Sequence, residues 1–230
     1  MLQQTQTERV GQKYKQFIAS FPDFASLAHA PLREILKVWQ GLGYNRRAVA
    51  LKKAAQTVMT KFHGDLPSSP EALMSLSGIG RATACAICAF AFNEPVVFIE
   101  TNIRRVFIHC FFQGQQGIKD AEILPLVAKT LDTSNPRKWY FGLMDYGVML
   151  KKQYQNPNRK SAHYQRQPPF QGSNRQIRGM ILRALTAESP LSQREIEERL
   201  GKDPERVKGN LIQLQKEGFI RKKRSRFTIA

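Results

Sequence analysis

Apolar residues recur at helical spacing through the first two thirds of the chain. Leu32, Ile35, Leu36 and Trp39 mark one segment and Leu51, Ala55, Val58 and Phe62 the next, each an apolar stripe that predicts a helix lying on a core. Breaks fall where turn chemistry expects them, at Phe21-Pro22-Asp23, Gly41-Leu42-Gly43, His63-Gly64-Asp65 and Pro67-Ser68-Ser69-Pro70. Ser69 before Pro70 suits a helix start, because the hydroxyl can cap and a proline in the first helical position loses no bond. Helical patterns run over 70–76 and 81–92, so residues 1 to about 150 read as all-helical. From Asn156 to Asn174 the composition turns to Pro, Gln and Asn, that of a linker. Beyond it come three helical stripes, carried by Ile177, Ile181 and Leu185, by Ile196 and Leu200, and by Val207, Leu211 and Leu214. Two short strands, 219–223 and 226–229, then form a basic hairpin. The expected organisation is mainly α: an all-helical domain over 1–155, a basic linker over 156–174, and a small α+β domain over 175–230.

Length and composition fit that division. At 230 residues with 42% hydrophobic content the chain buries a sizeable core. Lys and Arg number 36 against 18 Asp and Glu, a net charge of +18, which points to a polyanionic partner, either nucleic acid or an acidic membrane surface. The charge is unevenly spread. No acidic residue lies between Asp145 and Glu188, while Lys151, Lys152, Arg159, Lys160, Arg166, Arg175, Arg178 and Arg183 all do. No apolar run reaches membrane length and the N-terminus is polar, so the expectation is a cytoplasmic, nucleoid-associated protein without span or signal peptide. Cys85, Cys88 and Cys110 sit in apolar helical patterns and are expected as reduced, buried thiols. Cys85 and Cys88 have metal-like spacing but no second ligand pair, so no metal site is expected there.

The most specific stretch is Leu76-Ser77-Gly78-Ile79-Gly80-Arg81-Ala82-Thr83, followed by Glu100-Thr101-Asn102-Ile103-Arg104-Arg105-Val106. Two helical patterns flank the glycines. They let the chain reverse tightly and bring backbone N–H groups up to a phosphate, a grip that holds nucleic acid without reading its sequence. A lone Gly-x-Gly before a helix is also an ordinary interhelical turn, and Glu100 before Thr101 also suits a helix cap. The surroundings decide between these readings.

Those residues, with Met1-Leu2-Gln3-Gln4-Thr5-Gln6, Trp39-Gln40-Gly41-Leu42-Gly43-Tyr44 and Met144-Asp145-Tyr146-Gly147, resemble the helix-hairpin-helix DNA glycosylases, and most closely the MutY-type adenine glycosylases. The resemblance runs in order from residue 1 to about 150. It implies a helix-hairpin-helix scaffold binding double-stranded DNA that carries a lesion or mismatch. Gln4 and Tyr44 match positions that wedge into the base stack, with Gln3, Thr5, Leu42 and Gly43 beside them. Ser77, Gly78, Ile79, Gly80, Arg81 and Thr83 match the phosphate-gripping hairpin, where a monovalent cation also fits. Glu100 stands where the family has a catalytic aspartate, which stabilises positive charge on the sugar as the base leaves. Asn102 and Arg104 match positions near that carboxylate and the DNA backbone. Bifunctional relatives have a lysine nucleophile where this chain has Ala82, so base release without strand cleavage is expected.

Two departures bear on activity. Glutamate at 100 lengthens the arm by a methylene, and the family's general acid lies just upstream of the residue matching Met1; the expectations are a start assigned inside a longer reading frame, which is favoured, a shortened chain, or loss of that acid. A third departure concerns the cofactor. Many relatives carry four cysteines after the segment matching Met144 to Met149, holding a [4Fe–4S] cluster. Here Leu150 to Arg159 contains none, so no iron–sulfur cluster is expected, and Lys151 and Lys152 are expected to take over contacts with phosphate. The C-terminal pattern resembles a winged helix-turn-helix, with Arg206 and Lys208 on the candidate recognition helix, though such a module can also engage a protein partner. The expected activity is a monofunctional DNA N-glycosylase, acting first on adenine opposite 8-oxoguanine and second on thymine or uracil in mismatches. The alternatives are a non-catalytic sensor of distorted duplex and a regulator led by the winged helix.

Overall fold

The computed structural model describes residues 1, 2, 5 and 7–230. In chain order its elements are α1 (Thr7–Ser20), α2 (Phe24–His29), α3 (Leu32–Trp39), α4 (Arg46–Lys61), α5 (Pro70–Met74), α6 (Arg81–Ile87), α7 (Thr101–Phe111), α8 (Asp120–Thr130), α9 (Pro136–Gln153), α10 (Asn174–Ala187), β1 (Leu191–Ser192), α11 (Gln193–Leu200), α12 (Pro204–Lys216), β2 (Ile220–Lys223) and β3 (Arg226–Ile229). The fold is mainly α with a small antiparallel sheet near the C-terminus, as the apolar spacing predicts. Strand β1 is an addition, since two residues are too few to show alternation. Helix starts follow their side chains. Ser69 accepts from the Ala72 N–H at 3.3 Å ahead of Pro70, and Asn135 and Asp203 cap likewise ahead of Pro136 and Pro204. Helix α6 runs on into a π-helical turn, Cys88–Phe92, which ends at Asn93 in the left-handed conformation.

The chain forms two compact units whose boundaries do not follow chain order. One joins Met1–Asp65 to Pro168–Ala230, and the other is Leu66–Gln167. The division expected from composition, at 155/156 and 174/175, runs along the chain instead. In the first unit Phe17, Ile35, Leu36 and Trp39 share one apolar cluster with Ile177, Ile181, Leu211 and Phe227, and α10 packs on α3. Arg33 of α3 donates to the carbonyls of Thr186 (3.0 Å) and Ala187 (3.3 Å), which the end of α10 leaves without helical partners. Glu217, just after α12, lies between Arg46 of α4 and Arg178 of α10, receiving a bond of 2.5 Å from each. Strand β3 is central, with β1 on one side and β2 on the other, both antiparallel.

In the second unit Cys85, Phe98, Ile103, Phe107, Ile123, Val127 and Tyr140 form the core. The buried Tyr140 hydroxyl donates to the Val96 carbonyl at 2.7 Å, and burial pushes its pKa up to about 12. Cys85 and Cys88 are buried as expected, but Cys110 is exposed. It sits in the last turn of α7 beside the half-exposed Phe111, where the apolar stripe outruns the core. Among the described residues no helix is long and apolar enough to cross a membrane.

Candidate active site

The glycine reversal joins α5 to α6 at the surface of the second unit. Leu73 and Leu76 anchor it from within, being buried, while Gly78 and Gly80 are exposed and Ser77 and Ile79 half-buried. Gly78 takes φ +77°, a conformation that costs an L side chain energy and glycine little. The Ile79 N–H closes the turn on the Leu76 carbonyl at 3.2 Å. Gly80 caps α6, and the first helical bond runs from the Ala84 N–H back to the Gly80 carbonyl at 2.9 Å. The Arg81 and Ala82 N–H groups therefore head the helix, where a phosphate oxygen can receive them. Arg81 and Ala82 are exposed and Thr83 half-buried. Among the described residues no three His, Cys, Asp or Glu side chains gather as a metal site.

Glu100 caps α7 with its own side chain. Its carboxylate accepts from the Ile103 N–H at 2.8 Å and from the Asn102 N–H, and the Asn102 amide lies 3.4 Å from its second oxygen. The group is half-buried, and desolvation raises its pKa above the ordinary carboxylate range against the lowering pull of these backbone bonds and of Arg105 and Arg104. Beneath it lies a polar knot. Arg105, 3% exposed, donates to the Asn102 side chain and the Gly147 carbonyl at 2.6 Å each, and to the Asn156 side chain at 3.2 Å. Asn158, 5% exposed, donates to the Thr101 carbonyl at 2.9 Å. Helix α9 crosses α7 at Gly147, where a Cβ would meet Asn102 atoms at 2.7 Å. The segment after α9 is thus tied to the head of α7 by amides and a guanidinium. It holds no cysteine, so the family's cluster ligands are not matched there.

The remaining expected residues divide. Arg104 pairs with Asp120 at 2.6 Å, so its charge is already countered. Lys151 and Lys152 end α9, exposed, as a phosphate contact requires. In the first unit Tyr44 is 36% exposed at φ 49°, with the Arg47 guanidinium 5.4 Å from its ring and the Arg175 guanidinium 3.3 Å from its hydroxyl. Gly43 is exposed, and its carbonyl accepts from the Trp39 indole at 3.0 Å. Leu42 corrects the expectation: its side chain is 3% exposed and belongs to the core, so only its backbone faces polar partners, namely Thr5 and Arg47. Gln3 and Gln4 lie outside the described residues. Arg206 and Lys208 are exposed on α12. Arg206 donates to the Gly172 carbonyl at 2.7 Å and to Asn174 at 3.0 Å, and Lys208 sits 3.6 Å from Glu205. Sequence reasoning missed Arg105, Asn156, Asn158 and Gly147. An arginine flanked by Ile103, Val106 and Phe107 was the available signal of a buried, satisfied cation.

Comparisons with known proteins identify the family and the fold. The model of the HhH-GPD superfamily base excision DNA repair protein matches residues 1–126. The adenine DNA glycosylase of Buchnera aphidicola subsp. Baizongia pistaciae is 37% identical over 154 residues, covering 65% of this chain and 43% of that protein. Its namesake from Homo sapiens is also 37% identical over 154 residues, covering 65% of this chain and 28% of the relative. The chain thus spans less than half the length of these two curated relatives. Among solved structures, a thermostable thymine-DNA glycosylase superposes with a TM-score of 0.59 at 24% identity, covering 69% of this chain and 75% of the other. A non-covalent endonuclease III–DNA complex gives 0.51 at 20% identity, covering 86% and 81%. At such identities these two likenesses speak for the fold.

Proposed function

Because the chain belongs to the HhH-GPD superfamily of base excision DNA repair proteins, we propose that it is a monofunctional DNA N-glycosylase that excises a mispaired or damaged base. The observation that carries this reading is Glu100: a carboxylate held by two backbone N–H groups at a helix head, half-buried, above a fixed guanidinium. A base stacked in a duplex is out of reach, so the nucleotide must be everted and its gap filled. The exposed Tyr44 ring, braced by Arg47, suits that wedge, and the Gly78–Gly80 turn suits a grip on the backbone. As the bond between sugar and base breaks, its electron pair leaves with the base and positive charge builds on the sugar. The Glu100 carboxylate faces that charge, water then adds to the sugar carbon, and its proton is released. Ala82 has no amine to form a Schiff base, so the strand stays intact after base release. The first substrate is adenine opposite 8-oxoguanine, and the second is thymine or uracil in a mismatch. We read the C-terminal helices and hairpin as a winged helix in place of the family's lesion-reading domain.

The test is a panel of duplexes carrying adenine opposite 8-oxoguanine, or thymine or uracil opposite guanine, scored for abasic sites with and without alkali. Release revealed only by alkali and abolished by Glu100→Gln supports the reading. Borohydride trapping of a covalent adduct contradicts it. The use of Glu100 as a cap favours one other reading, a non-catalytic sensor of distorted duplex. Tight lesion binding without abasic sites, together with turnover restored by Glu100→Asp, establishes the sensor instead.

A further inference from the structure

The β2–β3 hairpin carries a concentration of charge that the fold leaves unbalanced. Cross-strand partners are Arg221 with Thr228, Lys222 with Phe227, and Lys223 with Arg226. Alternation puts Lys222 and the buried Phe227 on the inner face, where the Lys222 ammonium lies 5.5 Å from the Phe227 ring centroid. Arg221, Lys223 and Arg226 therefore share the outer face, and all are exposed. Lys223 and Arg226 stand directly opposite one another, an arrangement that destabilises a hairpin unless something anionic lies over it. Glu195 approaches only Arg226, at 3.4 Å. Among the described residues Arg221, Lys223 and Arg224 form no ion pair with a carboxylate. The tip adds a second departure. Arg224 and Ser225 both take positive φ, 46° and 64°, where hairpins of this kind usually have asparagine and glycine. A cation thus stands at the tip in a backbone conformation that works against it.

Lysine on an edge strand also guards against edge-to-edge pairing, and β2 is an edge. That purpose does not require Arg224 at the tip or a like-charge pair across the strands. The neighbouring helix is differently arranged. On α12, Arg206 is tied to Gly172 and Asn174, Asn210 is buried on the Arg206 carbonyl, Gln213 is bonded to Glu217, and the exposed face is centred on the apolar Ile212. Around Ile212 that leaves Glu205, Lys208, Gln215 and Lys216 as the exposed polar side chains, of which Lys208 already faces Glu205 at 3.6 Å, a short set for reading base edges.

We propose that the hairpin, through Arg221, Lys223 and Arg224, is a second duplex-binding surface that holds phosphates without regard to sequence, while α12 does not read bases. Alternate strand positions lie about 6.6 Å apart, a spacing suited to successive phosphates. The proposal rests on the DNA-repair reading only for the choice of polyanion, and its test needs no base release.

The experiment measures binding of the full chain to an undamaged duplex by fluorescence anisotropy across salt concentration. Each phosphate contact contributes about 0.9 to the slope of log affinity against log salt. The variant R221A/K223A/R224A should lose between two and three units of slope. Between roughly 50 and 200 mM salt its affinity should then fall about 40-fold less than that of the parent. The charge-conserving R221K/K223R/R224K should keep the parental slope, and K208A/K216A on α12 should change it by less than one unit. A parental slope in the alanine variant, with folded circular dichroism, overturns the proposal. So does a slope lost in the α12 variant instead, or unchanged duplex binding with loss of a protein contact. Failure of the glycosylase reading would appear separately, as the absence of abasic sites on lesion duplexes while this slope difference persists.

Discussion

Glu217→Gln tests whether the C-terminal elements belong to the same folded unit as α1–α4. The carboxylate receives Arg46 at 2.9 and 2.5 Å, Arg178 at 3.2 and 2.5 Å, and Gln213 at 2.6 Å. Its pKa is lowered from 4.5 to about 2, first by the bond from Arg46 and then by those from Arg178 and Gln213 against desolvation. A fall of that size corresponds to roughly 3 kcal/mol of preference for the charged form in the folded state. Solvent reduces the figure, because the Arg46 side chain is 70% exposed while Glu217 and Arg178 are 13% and 19%. A loss of about 2 kcal/mol is the expected cost, most of it from stranding the half-buried Arg178. A depressed carboxylate stabilises the fold above its unfolded pKa, and that contribution fades as pH falls through the folded value. The gap between parent and variant in urea unfolding should therefore be full at pH 7 and shrink from about pH 4.5 towards 2. A gap below about 0.5 kcal/mol at pH 7, or one that stays constant into acid, refutes the reasoning.

Further outcomes follow from the second unit. Because desolvation raises the Glu100 pKa, the acid limb of base release should begin at higher pH than an ordinary glutamate gives, and Glu100→Gln should lower single-turnover release by on the order of 100-fold or more. Gly147→Ala drives a Cβ against Asn102 and should cost about 1–3 kcal/mol in denaturant unfolding. It should also slow release while duplex affinity holds. Arg105→Leu leaves the Gly147 carbonyl and the Asn102 and Asn156 side chains without their donor, and should cost about 3 kcal/mol by the same measurement.

What was legible in the sequence was local. The stripes at Leu32–Trp39 and Val207–Leu214, the Ser69-Pro70 helix start and the exposed glycine reversal are where spacing and turn chemistry put them, because each is fixed by neighbours within a few residues. Long-range pairings were not legible. Arg206 turns to Gly172 and Asn174, more than 30 residues away, and helix spacing alone could not assign it there. Leu42 sits between two glycines of positive φ, and a turn of that kind does not announce which side chain it sends inward. Arg105 was concealed because its partners come from α9 and the segment beyond it. The grouping of 1–65 with 168–230 has the same origin, since composition marks a linker but not where the chain returns.

That grouping governs how the molecule can be dissected. A chain ended at residue 167 would not be a minimal enzyme relieved of an accessory tail. It would bare Ile35, Leu36 and their neighbours to water and leave the Arg33 and Arg46 side chains without their carbonyl and carboxylate acceptors. Proteases and aggregation act on such surfaces, so residues 168–230 serve as masonry for α3 and α4.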